Sequence, residues 1–366
     1  MKINILLPHK EKFDKSKASS VSITVSNNMK HSCFLKDIKV FGQNTTVPLF
    51  KNNFFGVKYS LLSLKSKNKY LADQLSKTIL KSNDNKQLIE VHNRPYLVKT
   101  IKKKVKSSPI SLFLHNNPKE MKGSKSIFER KELISNCAAI FCVSEYIRNE
   151  FVDGLNRNCE KVFVLYNGVE RELTKFPKKK KEVLFVGRIV PEKGVDLYVD
   201  AIKSIAPKFA DWTFNLIGST KLGEIDVGKT YAQEISKKFK EIGTNANFYG
   251  FKNKDFVESK MKSGSIIIIP SLWQEPFGLV AAEAMSNGMA IIAANSGAIP
   301  EIIEKNGILI DKINYQKLKK VLVELLSDYK KMIVFQKKSW KNFKLSSTNS
   351  SKKLDDYRKI VFQNIN

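Results

Sequence analysis

The sequence predicts an α/β protein of two doubly wound parallel-sheet domains, and three features support this. Short apolar runs rich in β-branched residues alternate with helical patterns along the whole chain. The alternation occurs in two successive sets, separated by a basic stretch around Pro177. At 366 residues the chain is long enough for two cores of ordinary size.

In the first set, strands are legible at Ile3 to Leu7, Ile38 to Phe41, Leu88 to His92, Ile110 to His115, Ala138 to Val143 and Val162 to Tyr166. Between them the clearest helices are Asn68 to Leu80, with Leu71, Leu75 and Ile79 four apart, and Ser144 to Leu155, where Ser144 suits an N-cap. Residues 1–170 therefore form the expected first domain, and 171–181, with four consecutive lysines, the expected linker. The second set has strands at Val183 to Val186, Trp212 to Ile217, Asn247 to Gly250, Ile266 to Ile269, Ala290 to Ala293 and Ile308 to Ile310. It fills residues 182–340 and ends in one helical pattern from Tyr315 to Trp340. The segment 341–366 is poorly apolar until a last helix from Lys352 to Phe362.

The densest chemistry follows the run Ser265 to Pro270, a buried parallel strand closed by a proline that cannot donate to a ladder. Pro276 suits a first helical turn, and Gly278 to Asn287 carries apolar residues at helical spacing before Gly288 stops it. Peptide N–H groups at Phe277, Gly278, Leu279 and Val280 then lie at a helix N-terminus, which favours an anion such as a diphosphate. Glu275 and Glu283 flank that place. A carboxylate beside a phosphate cradle suits paired sugar hydroxyls, although Glu283 also reads as a helix-face residue and Glu275 as a complement to the dipole. Upstream, Val183-Leu-Phe-Val-Gly-Arg-Ile-Val-Pro-Glu-Lys-Gly194 releases Arg188 and Lys193 from a strand end, two cations that match a diphosphate leaving group.

The string Glu275-Pro-Phe-Gly-Leu-Val-Ala-Ala-Glu283-Ala-Met, followed by Gly288 and Ala290 to Gly297, closely resembles the glutamate-x7-glutamate signature of retaining family 4 glycosyltransferases. The resemblance implies the GT-B fold, with two Rossmann-like domains facing a cleft and the end of the chain, 341–366, packing back on the first domain. It implies that Glu283 binds the donor ribose, Glu275 orients the donor sugar, Arg188 and Lys193 hold the diphosphate, and Phe277 to Val280 supply N–H groups. His115 resembles the family histidine that approaches the transferred sugar from the first domain. The implied reaction moves a hexose or N-acetylhexosamine, from a UDP-sugar such as UDP-N-acetylglucosamine or UDP-glucose, with retention by same-face attack. Val91-His-Asn-Arg-Pro95 looks like a subgroup working on lipopolysaccharide core and other envelope glycans, which places His92 and Arg94 on the acceptor side. One departure stands out: the loop after the first strand lacks the usual glycine pair, leaving Lys17 and Ser19 as replacements near the acceptor.

Other classes have little support. The sequence contains no Asp-x-Asp string to hold a divalent ion, so neither metal nor cofactor is expected. A nominal phosphate loop, Gly223 to Thr230, starts away from any strand end and carries Glu224 and Asp226 where a phosphate would sit. The four cysteines follow neither a zinc pattern nor a disulfide framework, and no apolar run is long enough to span a membrane, so a cytoplasmic protein is expected. The net charge of +29 is partly concentrated: residues 51–106 hold 14 lysines and arginines against three acids. Val98, Ile101 and Val105 recur at helical spacing beside Lys99, Lys102, Lys103, Lys104 and Lys106, so segment 99–106 is expected to lie on an anionic membrane as a peripheral anchor at the inner face. The alternatives are a core helix with a solvated face, a GT-B sugar-nucleotide epimerase, and a basic nucleic-acid-binding protein. The last lacks interleaved aromatics and any recognisable module, so no nucleic-acid partner is expected.

Overall fold

The computed structural model describes residues 2–15, 18–59, 64–82, 87–155, 159–219, 221–222, 225–226 and 229–363. Lys17 and, within the Gly223 to Thr230 stretch, Gly223, Glu224, Val227 and Gly228 lie outside the described residues. The chain divides into two compact units, 1–168 with 345–366, and 169–344. Among the described residues no helix is long and apolar enough to cross a membrane.

The first unit contains β1 (Lys2–Leu6), α1 (Ser20–Lys30), β2 (Ile38–Gln43), β3 (Phe54–Val57), α2 (Lys67–Leu80), β4 (Gln87–His92), α3 (Tyr96–Lys104), β5 (Ile110–Leu114), α4 (Ile127–Asn136), β6 (Ala139–Cys142), α5 (Glu145–Val152) and β7 (Val162–Val164). These strands form one sheet in the order β3-β2-β1-β4-β5-β6-β7, and every pairing is parallel. Local signals start the helices. Ser126 and Glu129 close a reciprocal capping box on α4, and the Ser144 hydroxyl accepts from the Ile147 N–H at the head of α5. The edge strand β3 was not read from the sequence, because Phe-Phe-Gly-Val is short and interrupted by glycine.

The second unit contains β8 (Lys180–Val186), α6 (Val195–Ile205), β9 (Thr213–Ile217), β10 (Lys221–Leu222), β11 (Ile225–Asp226), α7 (Lys229–Lys240), β12 (Ala246–Gly250), α8 (Lys254–Ser263), β13 (Gly264–Ile269), α9 (Leu279–Ser286), β14 (Ala290–Ala294), α10 (Ile299–Ile303), β15 (Ile308–Ile310), α11 (Tyr315–Ser327) and α12 (Tyr329–Lys341). Its main sheet, also parallel throughout, runs β12-β9-β8-β13-β14-β15. The helical pattern from Tyr315 to Trp340 forms two helices, because the Asp328 side chain accepts from the Lys331 N–H and starts a new one.

The expected linker 171–181 belongs to the second unit. Arg171 lies over the Trp340 ring, 3.4 Å from its centre, and donates to the Trp340 carbonyl at 3.1 Å. Lys179 donates to the carbonyls of Met261, Lys262 and Asn287 at 3.1, 3.1 and 2.7 Å, so it caps the C-terminal ends of α8 and α9. Burial pushes its ammonium down to about 7.

The last helix, α13 (Ser347–Gln363), belongs to the first unit and starts five residues before the expected Lys352. Its first turn packs by hydroxyls instead of apolar groups: Ser350 donates to Asn28 Oδ1 and the Tyr166 carbonyl, and Ser351 to the Asn28 carbonyl. Further along, Arg358 makes two 2.8 Å bonds to the Glu90 carboxylate on β4 and one of 2.9 Å to Asp355. All three residues are buried.

Helix α3 corrects the expected membrane anchor at 99–106. Val98, Ile101 and Val105 are fully buried, so no apolar stripe faces outward. Lys104 pairs with Asp73, Lys99 with Glu132, and Lys102 donates to the Lys106 carbonyl at 2.9 Å. The core-helix alternative is the one the structure contains.

Arg358→Ala should destabilise the first unit by about 3–5 kcal/mol, because it leaves the buried Glu90 and Asp355 carboxylates without their cation. Arg358→Met/Glu90→Met should be less destabilised than Arg358→Ala, as judged by urea unfolding followed by circular dichroism.

Candidate functional site

In a doubly wound sheet, the crevice at the strands' carboxyl ends opens where the strand order reverses. In the second unit that point lies between β8 and β13, and the residues singled out in the sequence follow these two strands. Arg188 leaves β8 just after Gly187, with its neighbour held by the Ile189 N–H bond to the Ser219 carbonyl at 3.0 Å. Its guanidinium is partly buried and has no ion-pair or hydrogen-bond partner among the described residues.

Backbone contacts clamp the loop from Pro270 to Gly278 on both sides. Towards β8, the Glu192 carbonyl accepts from the N–H groups of Leu272 and Trp273 at 2.9 and 3.2 Å. Gly194 sits there at φ +62, and a Cβ on it would lie 2.1 Å from the Pro270 oxygen. Towards β14, the Gly297 N–H donates to Gln274 Oε1 at 2.7 Å and the Ala298 N–H to the Glu275 carbonyl at 2.8 Å. Gly297 has φ +55, and its missing Cβ would fall 2.3 Å from the Glu275 oxygen.

This clamp brings the two sequence motifs together, with a change of partners. The Lys193 ammonium donates to the buried Glu275 carboxylate. Sequence reasoning had set these two on separate parts of a donor, whereas here they form one ion pair across the switch point. Helix α9 begins beyond Glu275 at Gly278, whose φ of +93 makes the turn into the helix. The Ala281 and Ala282 N–H groups return to the Gly278 carbonyl, while those of Leu279 and Val280 belong to the orphan first turn. Phe277 is buried beside them.

Glu283 lies one turn into α9, partly buried, and no group among the described residues bonds its carboxylate. Burial, with Glu258 adding to it and Lys254 opposing it, pushes its pKa up to about 7. The site thus combines an unpaired guanidinium, an unsatisfied helix N-terminus and a carboxyl group without a donor. Such a set accepts a ligand that is anionic in one part and hydroxylated in another.

In the first unit the order reverses between β1 and β4. His92 ends β4 and His115 follows β5. Their rings meet, with His92 Nδ1 2.9 Å from His115 Nε2, and His92 stacks on Phe113 with centroids 4.4 Å apart. His92 is 3 % exposed, which corrects its expected place on the acceptor side: it is too deep to touch an acceptor. Burial lowers the pKa of His115 to about 4 and that of His92 well below its ordinary value, so both rings are neutral near pH 7. Arg94 is half-buried and donates to the Asn93 carbonyl at 2.6 Å. Ser19 donates to Glu11, whose carboxyl is raised by burial and lowered in turn by Ser19 and Arg94.

Sequence reasoning passed over Glu11 and Asn93. Asn93 holds φ +55, a value few residues other than glycine adopt, and its Oδ1 accepts the His115 N–H at 3.0 Å. An asparagine before Arg-Pro was the available signal, since asparagine tolerates that conformation best.

Comparison with known proteins agrees with this geometry. The family described as Glycosyl transferases group 1 matches residues 169–341. An uncharacterized glycosyltransferase of Methanocaldococcus jannaschii is 35% identical over 200 residues, 54% of this chain and 52% of that protein. The lipopolysaccharide 1,2-N-acetylglucosaminetransferase of Salmonella typhimurium is 25% identical over 70% of each chain. The matches to the first three curated relatives span only 52%, 60% and 58% of those proteins' own lengths. Among solved structures, Anabaena HepE in complex with UDP superposes with a TM-score of 0.75 at 19% identity, covering 98% of this chain and 100% of that one. The second unit is therefore similar to the group 1 glycosyl transferases, and the chain has the GT-B fold.

Gly297→Ala should cost the second unit about 2 kcal/mol or more, because both its φ and its contact with Glu275 forbid a side chain. A melting temperature lowered by several degrees relative to the wild type, measured by differential scanning calorimetry, is the expected outcome.

Proposed function

We propose that this GT-B chain is a retaining glycosyltransferase that moves a hexose or N-acetylhexosamine from a UDP-sugar to a lipopolysaccharide core or other envelope glycan acceptor. The observation that carries the reading is the Lys193–Glu275 pair, which joins the loops after β8 and β13 at the switch point, where Arg188 follows β8 without a partner among the described residues and α9 starts with its first-turn N–H groups open. Structures of Anabaena HepE hold UDP and UDP-glucose, and the Salmonella relative transfers N-acetylglucosamine to lipopolysaccharide; both support the donor and acceptor classes.

In this reading the diphosphate meets Arg188, Lys193 and the N–H groups of Phe277 to Val280. These are preorganised positive dipoles and charges where the leaving group gains negative charge. Their combined charge makes a divalent metal unnecessary. Lys193 arrives already held by Glu275, so its ammonium needs little reordering, and the second oxygen of Glu275 remains for a hydroxyl of the donor sugar. Glu283 accepts the ribose hydroxyls. His115 is assigned to the transferred sugar, and the leaving phosphate takes the acceptor's proton as the new bond forms on the same face. Arg94 and Ser19 belong to the acceptor side.

Glu283 makes donor binding depend on pH. Its carboxyl is ionised above about 7 and protonated below, and only the ionised form accepts two hydroxyl bonds. The affinity for UDP-glucose, whose diphosphate diester does not titrate in this range, should fall as pH drops through 7, by up to about tenfold per unit. Glu283→Gln should bind weakly at every pH and lose the slope; calorimetry between pH 5.5 and 8.5 measures both.

The test of the whole reading is a thermal-shift screen of UDP-, GDP- and ADP-sugars, then mass spectrometry of the best donor with envelope glycolipid extract. Transfer should survive EDTA and fall by about 100-fold or more in Lys193→Ala. Release of an epimerised donor without acceptor, or an absolute magnesium requirement, would overturn it.

A further inference from the structure

The histidine pair in the first unit carries more information than its distance. A hydrogen bond of 2.9 Å between two neutral imidazoles contains one proton, and that proton belongs either to His92 Nδ1 or to His115 Nε2. If His115 Nε2 carried it, His92 would be the Nε2–H tautomer. That N–H would then point into a place sealed from water, since His92 Nε2 is buried and has no partner. A buried N–H without an acceptor costs about 1–3 kcal/mol and is rarer than an unsatisfied lone pair.

We infer that His92 is a positioning residue: its Nδ1–H donates to His115 Nε2 and fixes His115 as the Nδ1–H tautomer. His115 then offers a hydrogen-bond donor, and its only lone pair is already occupied. No described residue takes its Nδ1. The ring therefore gives a proton-bearing nitrogen to a substrate oxygen instead of acting as a base. Two further contacts keep the arrangement from rotating away. Phe113 stacks on His92 with an interplanar angle of 11°, and the Asn93 side chain accepts the His115 backbone N–H. Arg358, bonded to Glu90 two residues before His92 on β4, anchors the strand beneath. That this donor meets the transferred sugar rests on the glycosyltransferase reading; the tautomer itself does not.

With four histidines in the chain, the tautomers can be read directly. Long-range proton–nitrogen correlation spectra of the full chain, labelled with ¹⁵N-histidine at pH 7, should show His115 protonated at Nδ1 and bare at Nε2, with signals assigned from His115→Asn and His92→Phe. A His115 protonated at Nε2, or at both nitrogens, overturns the inference, and this wild-type measurement stands even where a variant fails to fold. His92→Phe keeps the stack on Phe113 and removes the bond, so His115 should move towards the Nε2–H form that free histidine favours. Turnover with the screened donor should then fall about 10- to 100-fold while UDP affinity stays within about twofold. An unchanged tautomer, or unchanged turnover despite a changed tautomer, overturns the positioning role. Absence of UDP binding in the wild type would instead count against the glycosyltransferase reading and leave the tautomer assignment intact.

Discussion

The second unit depends on how closely its backbone segments approach at the switch point between β8 and β13. Parallel strands bring their carboxyl ends to one rim, but the loops leaving that rim must be held if they are to bind anything. Here carbonyls and N–H groups hold them: Glu192 takes two N–H donors from the loop after β13, and Glu275 takes one from the loop after β14. Glycine stands at Gly194 and Gly297 because any Cβ would occupy the same space as a backbone oxygen. The clamp makes the Lys193–Glu275 pair possible, and it holds the loop from which α9 starts.

The first unit relies on a different device. Glu90 is a charge on a buried central strand, tolerable only because Arg358 reaches it from α13 with two parallel bonds, while Asp355, Ser32 and the Cys33 N–H complete the network. A network of this kind contributes specificity more than raw stability, since an apolar core of the same volume would be cheaper. Its effect is to bring the far end of the chain onto the strand that ends at His92. The histidine pair is thus supported from below by a residue 266 positions away in sequence, and from the side by Asn93 in a strained conformation.

The basic charge has a plainer account than its size invites. Several lysines of the richest stretch close local pairs: Lys65 and Lys104 converge on Asp73, and Lys99 reaches Glu132. The apolar residues between them are core. Elsewhere, Lys179 and Arg171 cap helices or cover an aromatic ring. Local charge density alone could not distinguish a solvated helix from a surface-seeking one, because both place lysines on one face and apolar residues on the other.

By itself the sequence determined the two alternating strand–helix sets, and within them the residues at strand ends, because period, β-branching and glycine stops are local properties. Arg188, His115 and Glu275 could be singled out for this reason, and Glu283 by its place in the glutamate-x7-glutamate string. Tertiary structure alone decided which of them meet. That Lys193 pairs with Glu275, and that His92 lies beneath His115 instead of beside an acceptor, follow from neighbouring parallel strands whose order no local pattern encodes. The start of α13 was invisible for a related reason: its first turn is buried through serine hydroxyls bonded to Asn28, so hydrophobic periodicity, the usual sign of a packed helix, was absent where packing was achieved by hydrogen bonds.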